Sequence, residues 1–140
     1  MLRVKTKTQE SHIKGAGLGL FADQDIPKGE IIYLFDEGLE PSFPSIKNII
    51  GHTEIISKHL LKFVYCYKNN YYYCLDEAKY MNHSEDPNCS DNVKFNGTIA
   101  ARDIKKGEEL TCNYNNLGVT EFDKKFNSAS YKNIQKLLTS

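Results

Sequence analysis

Apolar and polar positions alternate in short runs along most of the chain, and long helical periods are scarce. Phe21-Ala22 leads into Asp25-Ile26-Pro27-Lys28-Gly29-Glu30, and Ile31-Ile32-Tyr33-Leu34-Phe35 follows as an apolar and aromatic run. Pro27 fixes φ and Gly29 is free to take positive φ, so this stretch predicts a tight turn feeding a strand. A near copy recurs as Ala100-Ala101-Arg102-Asp103-Ile104-Lys105-Lys106-Gly107-Glu108-Glu109-Leu110. Two copies are too few for a solenoid, and they read as similar turns met by similar residues. Between them, Pro41 to Pro44 mark a loop. Ile46, Ile49, Ile50, Ile55, Ile56 and Leu60 then fall at spacings of short helical turns, interrupted near Gly51. Phe63 to Leu75 is rich in aromatics around Asn69-Asn70 and predicts a β-hairpin. Phe126, Tyr131, Ile134 and Leu138 give the tail a partial helical face. Many short strands with few helices predict a mainly β fold.

A chain of 140 residues suggests one domain with a core that needs no staples. Its 18 Lys and Arg balance its 18 Asp and Glu, so no bulk charge is available to hold nucleic acid. The tyrosines offer stacking surface, but the lysines are scattered, and no nucleic-acid role is expected. Met1 to Glu10 is polar, without the apolar core of a signal peptide, and no apolar run nears the ~20 residues that span a bilayer. Cys66, Cys74, Cys89 and Cys112 form no C-x-x-C pair and read as reduced thiols of an intracellular protein.

Four segments carry candidate chemistry. Lys14-Gly15-Ala16-Gly17-Leu18-Gly19-Leu20 has three glycines in five residues, which lets a backbone pass close to a ligand. It ends in no Gly-Lys-Ser/Thr, so it is not a Walker loop. Asp25-Ile26-Pro27 breaks the helix that a dinucleotide fingerprint would need. By itself it serves equally as a glycine-rich turn. Lys79-Tyr80-Met81-Asn82-His83-Ser84-Glu85-Asp86-Pro87-Asn88 places an amide and an imidazole side by side in a loop anchored by Pro87. Glu108-Glu109-Leu110-Thr111-Cys112-Asn113-Tyr114 ends a strand on a tyrosine, and Phe122 is a late aromatic. Taken singly, Tyr114 and Phe122 read as half-buried packing residues.

In this order and spacing, the segments resemble the SET-domain family. Ser11 to Ile32 is similar to its opening G-x-G stretch and D-I-x-K-G-E turn. Tyr80 to Asn88 is similar to its R-F-I-N-H-S-C-x-P-N segment, and Glu108 to Tyr114 to its closing E-L-T-x-D-Y segment. The resemblance implies a β-clip fold of several small curled sheets, with a short helical insert at about 41–62, a motif core over 4–114, and a C-terminal tail over 115–140. In such a fold the C-terminal segment threads a preceding loop in a knot-like crossing, and a C-terminal helix follows. It implies a protein-lysine N-methyltransferase that takes its methyl group from S-adenosylmethionine and releases S-adenosylhomocysteine. Ala16, Gly17 and Leu18 would meet the methionine part through backbone. Tyr80, Asn82 and His83 would bind the cofactor, with Phe122 near the adenine. Tyr72, Cys112 and Tyr114 would line the substrate channel, and Tyr114 would be the catalytic tyrosine.

The sequence departs from the family pattern at four places. Glu85 replaces a cysteine that many relatives use for zinc together with a cysteine-rich tail, and no cysteine follows Cys112, so no metal is expected. Lys79 stands for Arg, Asn113 for Asp, and Cys112 for an aromatic residue; the smaller Cys112 could leave room for an already methylated amine. The expected partner is a lysine-bearing protein or peptide. No membrane is expected, and the chain would be a monomer or weak dimer in the cytoplasm, or in the nucleus of a eukaryote. The competing reading is a SET-fold module that binds a peptide without turnover.

Overall fold

The computed structural model describes residues 1–36, 38–67, 70–92, 94 and 97–113. In chain order the elements are β1 (Thr6–Glu10), β2 (Leu18–Ala22), β3 (Ile31–Leu34), β4 (Ser42–Phe43), α1 (Ile46–Ile50), α2 (Glu54–Phe63), β5 (Val64–Tyr67), β6 (Asn70–Tyr73), a 3-10 turn at Glu77–Tyr80, β7 (Asn82–His83), β8 (Cys89–Asn92), β9 (Gly97–Ala100) and β10 (Glu109–Cys112). The fold is mainly β, built from several small sheets with few helices, as the alternation of the sequence predicts. The expected C-terminal threading and C-terminal helix lie outside the described residues. No helix among the described residues is long and apolar enough to cross a membrane.

The described residues fall into two compact units. Met1–Leu39 and the described residues between Leu75 and Asn113 form the first. It holds one sheet in the order β1-β2-β10-β7 and another in the order β3-β9-β8. In the first sheet β2 lies antiparallel between β1 and β10, and β7 runs parallel to β10. Leu20, Ala22, Ile26, Ile32, Met81, Cys89, Ala100, Ile104 and Leu110 make its core. Leu20 and Leu110 face each other in register and are wholly buried, so the central strand pair is set by burial as well as by its ladder.

The two D-I-x-K-G-E copies sit against each other in this unit. Ile26 and Ile104 pair as an antiparallel bridge and are both about fully buried, at 1% exposure. Gly29 and Gly107 take φ of 87° and 95°, the left-handed conformation the tight turns require. The Lys28 amide donates to Asp103 Oδ1 at 2.8 Å, and the Lys106 amide donates to Asp25 Oδ1 at 2.9 Å, so each copy satisfies the other's turn.

Glu40–Cys74 form the second unit. Ser45 caps α1 by accepting from the Lys47 amide at 3.2 Å, and Gly51 ends it. Thr53 caps α2, accepting from the Ile56 amide at 3.4 Å, and Glu54 pairs with Lys58 one turn on at 3.1 Å. Ile49, Leu61 and Tyr71 form a small core. The hairpin expected over the aromatic run is β5 and β6, paired antiparallel from Val64↔Tyr73 to Tyr67↔Asn70, with β4 on the other side of β6. Phe63, expected to open that hairpin, instead ends α2. The Val64 amide still bonds back to the Leu60 carbonyl, so the helix runs to the strand with no intervening turn.

Candidate active site

The glycine segment is the loop between β1 and β2. Pairing of Glu10 with Leu18 leaves residues 11–17 as the connection. The Ser11 amide donates to the Gly17 carbonyl at 2.8 Å and closes it, and the Ala16 amide donates to the Ile13 carbonyl at 3.1 Å within it. Gly15 and Gly17 have φ of 80° and 75°, and a Cβ added to either would meet no atom within 4 Å. The backbone therefore passes an open space with its glycine faces bare. That is the arrangement in which main-chain groups can grip a ligand.

The second segment meets this loop. Asn82 Nδ2 donates to the Leu18 carbonyl at 3.0 Å. Asn82 and His83 form β7, aligned with Thr111 and Cys112 of β10, and the Ser84 amide extends the pairing to the Cys112 carbonyl at 3.0 Å. Thus Leu18, Asn82, His83 and Cys112 share one sheet, and Ala16 and Gly17 lie in the loop that leads into it. Tyr80 packs on the core of the same unit, and Lys79 Nζ lies 5.6 Å from its ring centroid. Tyr72 belongs to the second unit. It is buried in β6, opposite Ser42 and Tyr65. Tyr114 and Phe122 lie outside the described residues.

Burial pushes the Cys112 thiol up to about 12, with Asp91 adding to the effect. Burial likewise raises Cys89 to about 12, with Cys112 as its next cause. Both are free thiols, as is buried Cys74. His83 Nε2 lies 3.0 Å from Glu85 Oε1, so the residue that departs from the family pattern is a partner of the site histidine. Among the described residues no group of three His, Cys, Asp or Glu could hold a metal ion.

Two groupings in the site carry no signal that a single sequence reveals. Glu109 of β10 accepts from Ser11 Oγ at 2.7 Å (Oε1) and 2.8 Å (Oε2), and from the His12 amide at 2.8 Å. Gly19 makes room for it, since a Cβ there would lie 3.0 Å from the carboxylate. Asn88, 3% exposed, is bonded to the same strand. Its Nδ2 donates to the Glu109 carbonyl at 2.8 Å and its Oδ1 accepts from the Thr111 amide at 2.9 Å. The sequence marks Asn88 as a turn residue after Pro87, whereas the structure makes it a side-chain bridge onto β10.

A SET domain model matches residues 17–115. The chain belongs to the SET-domain family, as the three ordered segments lead one to expect. No curated protein matches the chain. Among solved structures it is similar to the Polycomb Repressive Complex 2 of Chaetomium thermophilum. In an autoinhibited conformation bound to S-adenosylmethionine, that complex matches with a TM-score of 0.64 at 22% identity over 88% of this chain. A crystal structure of the same complex matches with a TM-score of 0.61 at 21% identity over 79% of this chain. A third, in complex with H3K27me3 and H3K27M, gives 0.58 at 21% identity over 79%. The matches cover 16%, 15% and 14% of those longer chains, so the likeness is one of fold within a small part of each.

Proposed function

We propose that this chain is a protein-lysine N-methyltransferase that uses S-adenosylmethionine. The observation that carries the reading is the Asn82–Leu18 hydrogen bond, which joins the glycine loop to the Asn-His strand. That strand flanks β10, which leads toward Tyr114. Further support comes from the solved neighbours: one is bound to S-adenosylmethionine and another is in complex with H3K27me3. The residues present fit such a cofactor. The bare faces of Gly15 and Gly17 front open space, and Asn82 and His83 stand beside the same loop.

When bound, S-adenosylmethionine supplies an activated methyl group on a sulfonium. The backbone of Ala16, Gly17 and Leu18 would hold its methionine part. Tyr80, Asn82 and His83 would bind the remainder. Cys112 and Tyr114 would line the channel for the substrate lysine, and the product would be S-adenosylhomocysteine.

The chain's own task is to deliver a neutral amine in line. A lysine in water has a pKa near ~10.4 and carries a proton at neutral pH, leaving no lone pair. A channel walled by apolar and neutral groups disfavours the ammonium form. Cys112 suits this wall. With its thiol pushed up to about 12 it stays protonated, and offers neither a counter-charge to the ammonium nor a competing nucleophile. The Tyr114 hydroxyl holds the amine, and alignment of this kind contributes roughly 7–11 kcal/mol in model reactions. The substrate is a lysine-bearing protein or peptide. The protein acts inside the cell as a monomer or weak dimer, without zinc.

The test is incubation with methyl-labelled cofactor and a lysate of the source cells, followed by acid hydrolysis of the labelled protein. Label recovered as methylated lysine is the expected result. Cofactor binding with no transfer would replace this reading with the non-catalytic peptide-binding module, and label on another amino acid would overturn the lysine assignment.

A further inference from the structure

We infer that Glu109 is a positioning residue that holds the glycine loop in its ligand-ready shape, acting through Ser11 and His12 rather than by touching the ligand. The inference rests on the reading of residues 15–18 as the cofactor's backbone grip.

The loop has few internal ties of its own. Among the described residues its backbone closes through Ser11–Gly17 and Ile13–Ala16. With two positive-φ glycines, such a loop has many accessible conformations and would lose entropy on binding. Glu109 removes that freedom from outside. Its carboxylate accepts from the Ser11 hydroxyl and the His12 amide, across 98 and 97 residues of sequence, and the partly buried contact with Ser11 makes this a charge-assisted bond. Ser11 passes the constraint on. The same hydroxyl oxygen accepts from the Ile13 amide at 3.0 Å, and the Ser11 amide holds the Gly17 carbonyl. One side chain of β10 thereby fixes both the entry of the loop at residues 11–13 and, through Ser11, its exit at Gly17.

Gly19 is the complementary feature. It has no positive φ to explain it, yet a Cβ there would lie 3.0 Å from Glu109 Cδ and Oε1 and 3.2 Å from Oε2. That is closer than carbon and oxygen settle without one of them shifting, so the third glycine of the G-x-G-x-G run serves to admit the carboxylate. On this view the glycines divide their work: Gly15 and Gly17 shape the grip, and Gly19 lets β10 hold it.

Binding and exchange measurements on the whole chain test this without needing the substrate. Affinity for S-adenosylhomocysteine is measured by calorimetry, and amide hydrogen exchange of residues 11–18 is followed in the free protein, for wild type, Glu109→Ala, Glu109→Gln and Ser11→Ala. Glu109→Ala is expected to weaken binding about tenfold or more, because the hydrogen bonds that preorganise the loop are lost. It should also speed exchange at His12 and Ile13. Gln retains an acceptor oxygen of the same reach, so Glu109→Gln should recover much of the affinity. Ser11→Ala should weaken binding in the same direction, and combining it with Glu109→Ala should add little.

Wild-type protein that fails to bind the compound would sink the cofactor reading itself. Wild-type binding with unchanged affinity in both Glu109→Ala and Ser11→Ala would overturn the inference alone. If Glu109→Ala does not fold, Ser11→Ala decides: full affinity and unchanged exchange there would also overturn it.

Discussion

Ile26 and Ile104 exchange both of their backbone hydrogen bonds, at 2.7 and 2.8 Å, and so tie together two turns of nearly identical sequence. The exchange extends outward with the same reciprocity. The Gly29 amide meets the Ala100 carbonyl and the Gly107 amide meets the Ala22 carbonyl, both at 2.8 Å. Each turn supplies the partner the other needs, and the two strand pairs that leave them, β2 with β10 and β3 with β9, diverge from this shared knot of bonds.

Tyr114→Phe keeps the ring and deletes the hydroxyl. Turnover should fall about a hundredfold or more, as when a single transition-state hydrogen bond is removed. Affinity for S-adenosylhomocysteine should stay close to wild type. Single-turnover rates beside binding isotherms check it, and near-normal turnover would remove Tyr114 from the mechanism.

Asn88→Ala should destabilise the fold by about 2–4 kcal/mol. It strips partners from the Glu109 carbonyl and the Thr111 amide in a buried place. Urea unfolding reads the loss. Asn88→Asp should fare nearly as badly, because a carboxylate accepts from the Thr111 amide but cannot donate to the Glu109 carbonyl.

Alanine at three glycines should separate two kinds of cost. Gly29→Ala and Gly107→Ala meet no neighbouring atom, so each should cost only about 1–2 kcal/mol for the left-handed backbone. Gly97→Ala is different in kind. Its Cβ would stand 2.1 Å from the Tyr33 carbonyl oxygen in the adjoining strand, so β3 and β9 must part locally. Thermal melts of the three variants should place Gly97→Ala well below the other two.

The raised thiols set a pH dependence. An unperturbed cysteine thiol titrates near 9.0, and Cys89 and Cys112 are pushed up to about 12 in the fold, mainly by burial. Below pH 9 both states hold these protons, and the groups leave stability unchanged as pH varies. Between about 9 and 12 the unfolded chain releases protons that the folded chain retains, so stability should fall as pH rises through that window. Iodoacetamide at pH 8, with the modified peptides mapped, should label both residues slowly in native protein and readily in urea. Fast native labelling of Cys112 would contradict its burial.

How far the sequence reaches depends on whether a feature is written in one stretch of chain. The glycine loop, Asn82-His83 and the Glu108–Tyr114 segment are each contiguous, and their backbone demands show in residue type, so they can be read directly. The break at Gly51 and the aromatic hairpin were legible for the same reason, through caps and alternation. Likeness between the two turns was visible too, but similarity does not disclose contact. Nothing in Asp25 or Asp103 says that each will cap the other copy. Ser11 and Glu109 present the harder case. A serine and a glutamate are ordinary surface residues in isolation, and their meeting exists only once β1, β2 and β10 lie side by side. The helix limit at Phe63 is not legible, because an aromatic suits a strand's first position as well as a helix's last.

The placement of β10 also bears on biosynthesis. This strand is the last of its sheet to leave the ribosome, yet it sits inside, between β2 from the beginning of the chain and β7. Until it arrives, both neighbours expose unsatisfied edges that another chain can pair with. Nascent protein stalled before Glu109 should therefore need chaperone cover, and completing the strand heals both edges in the same event that joins the glycine loop's strand to Asn82 and His83.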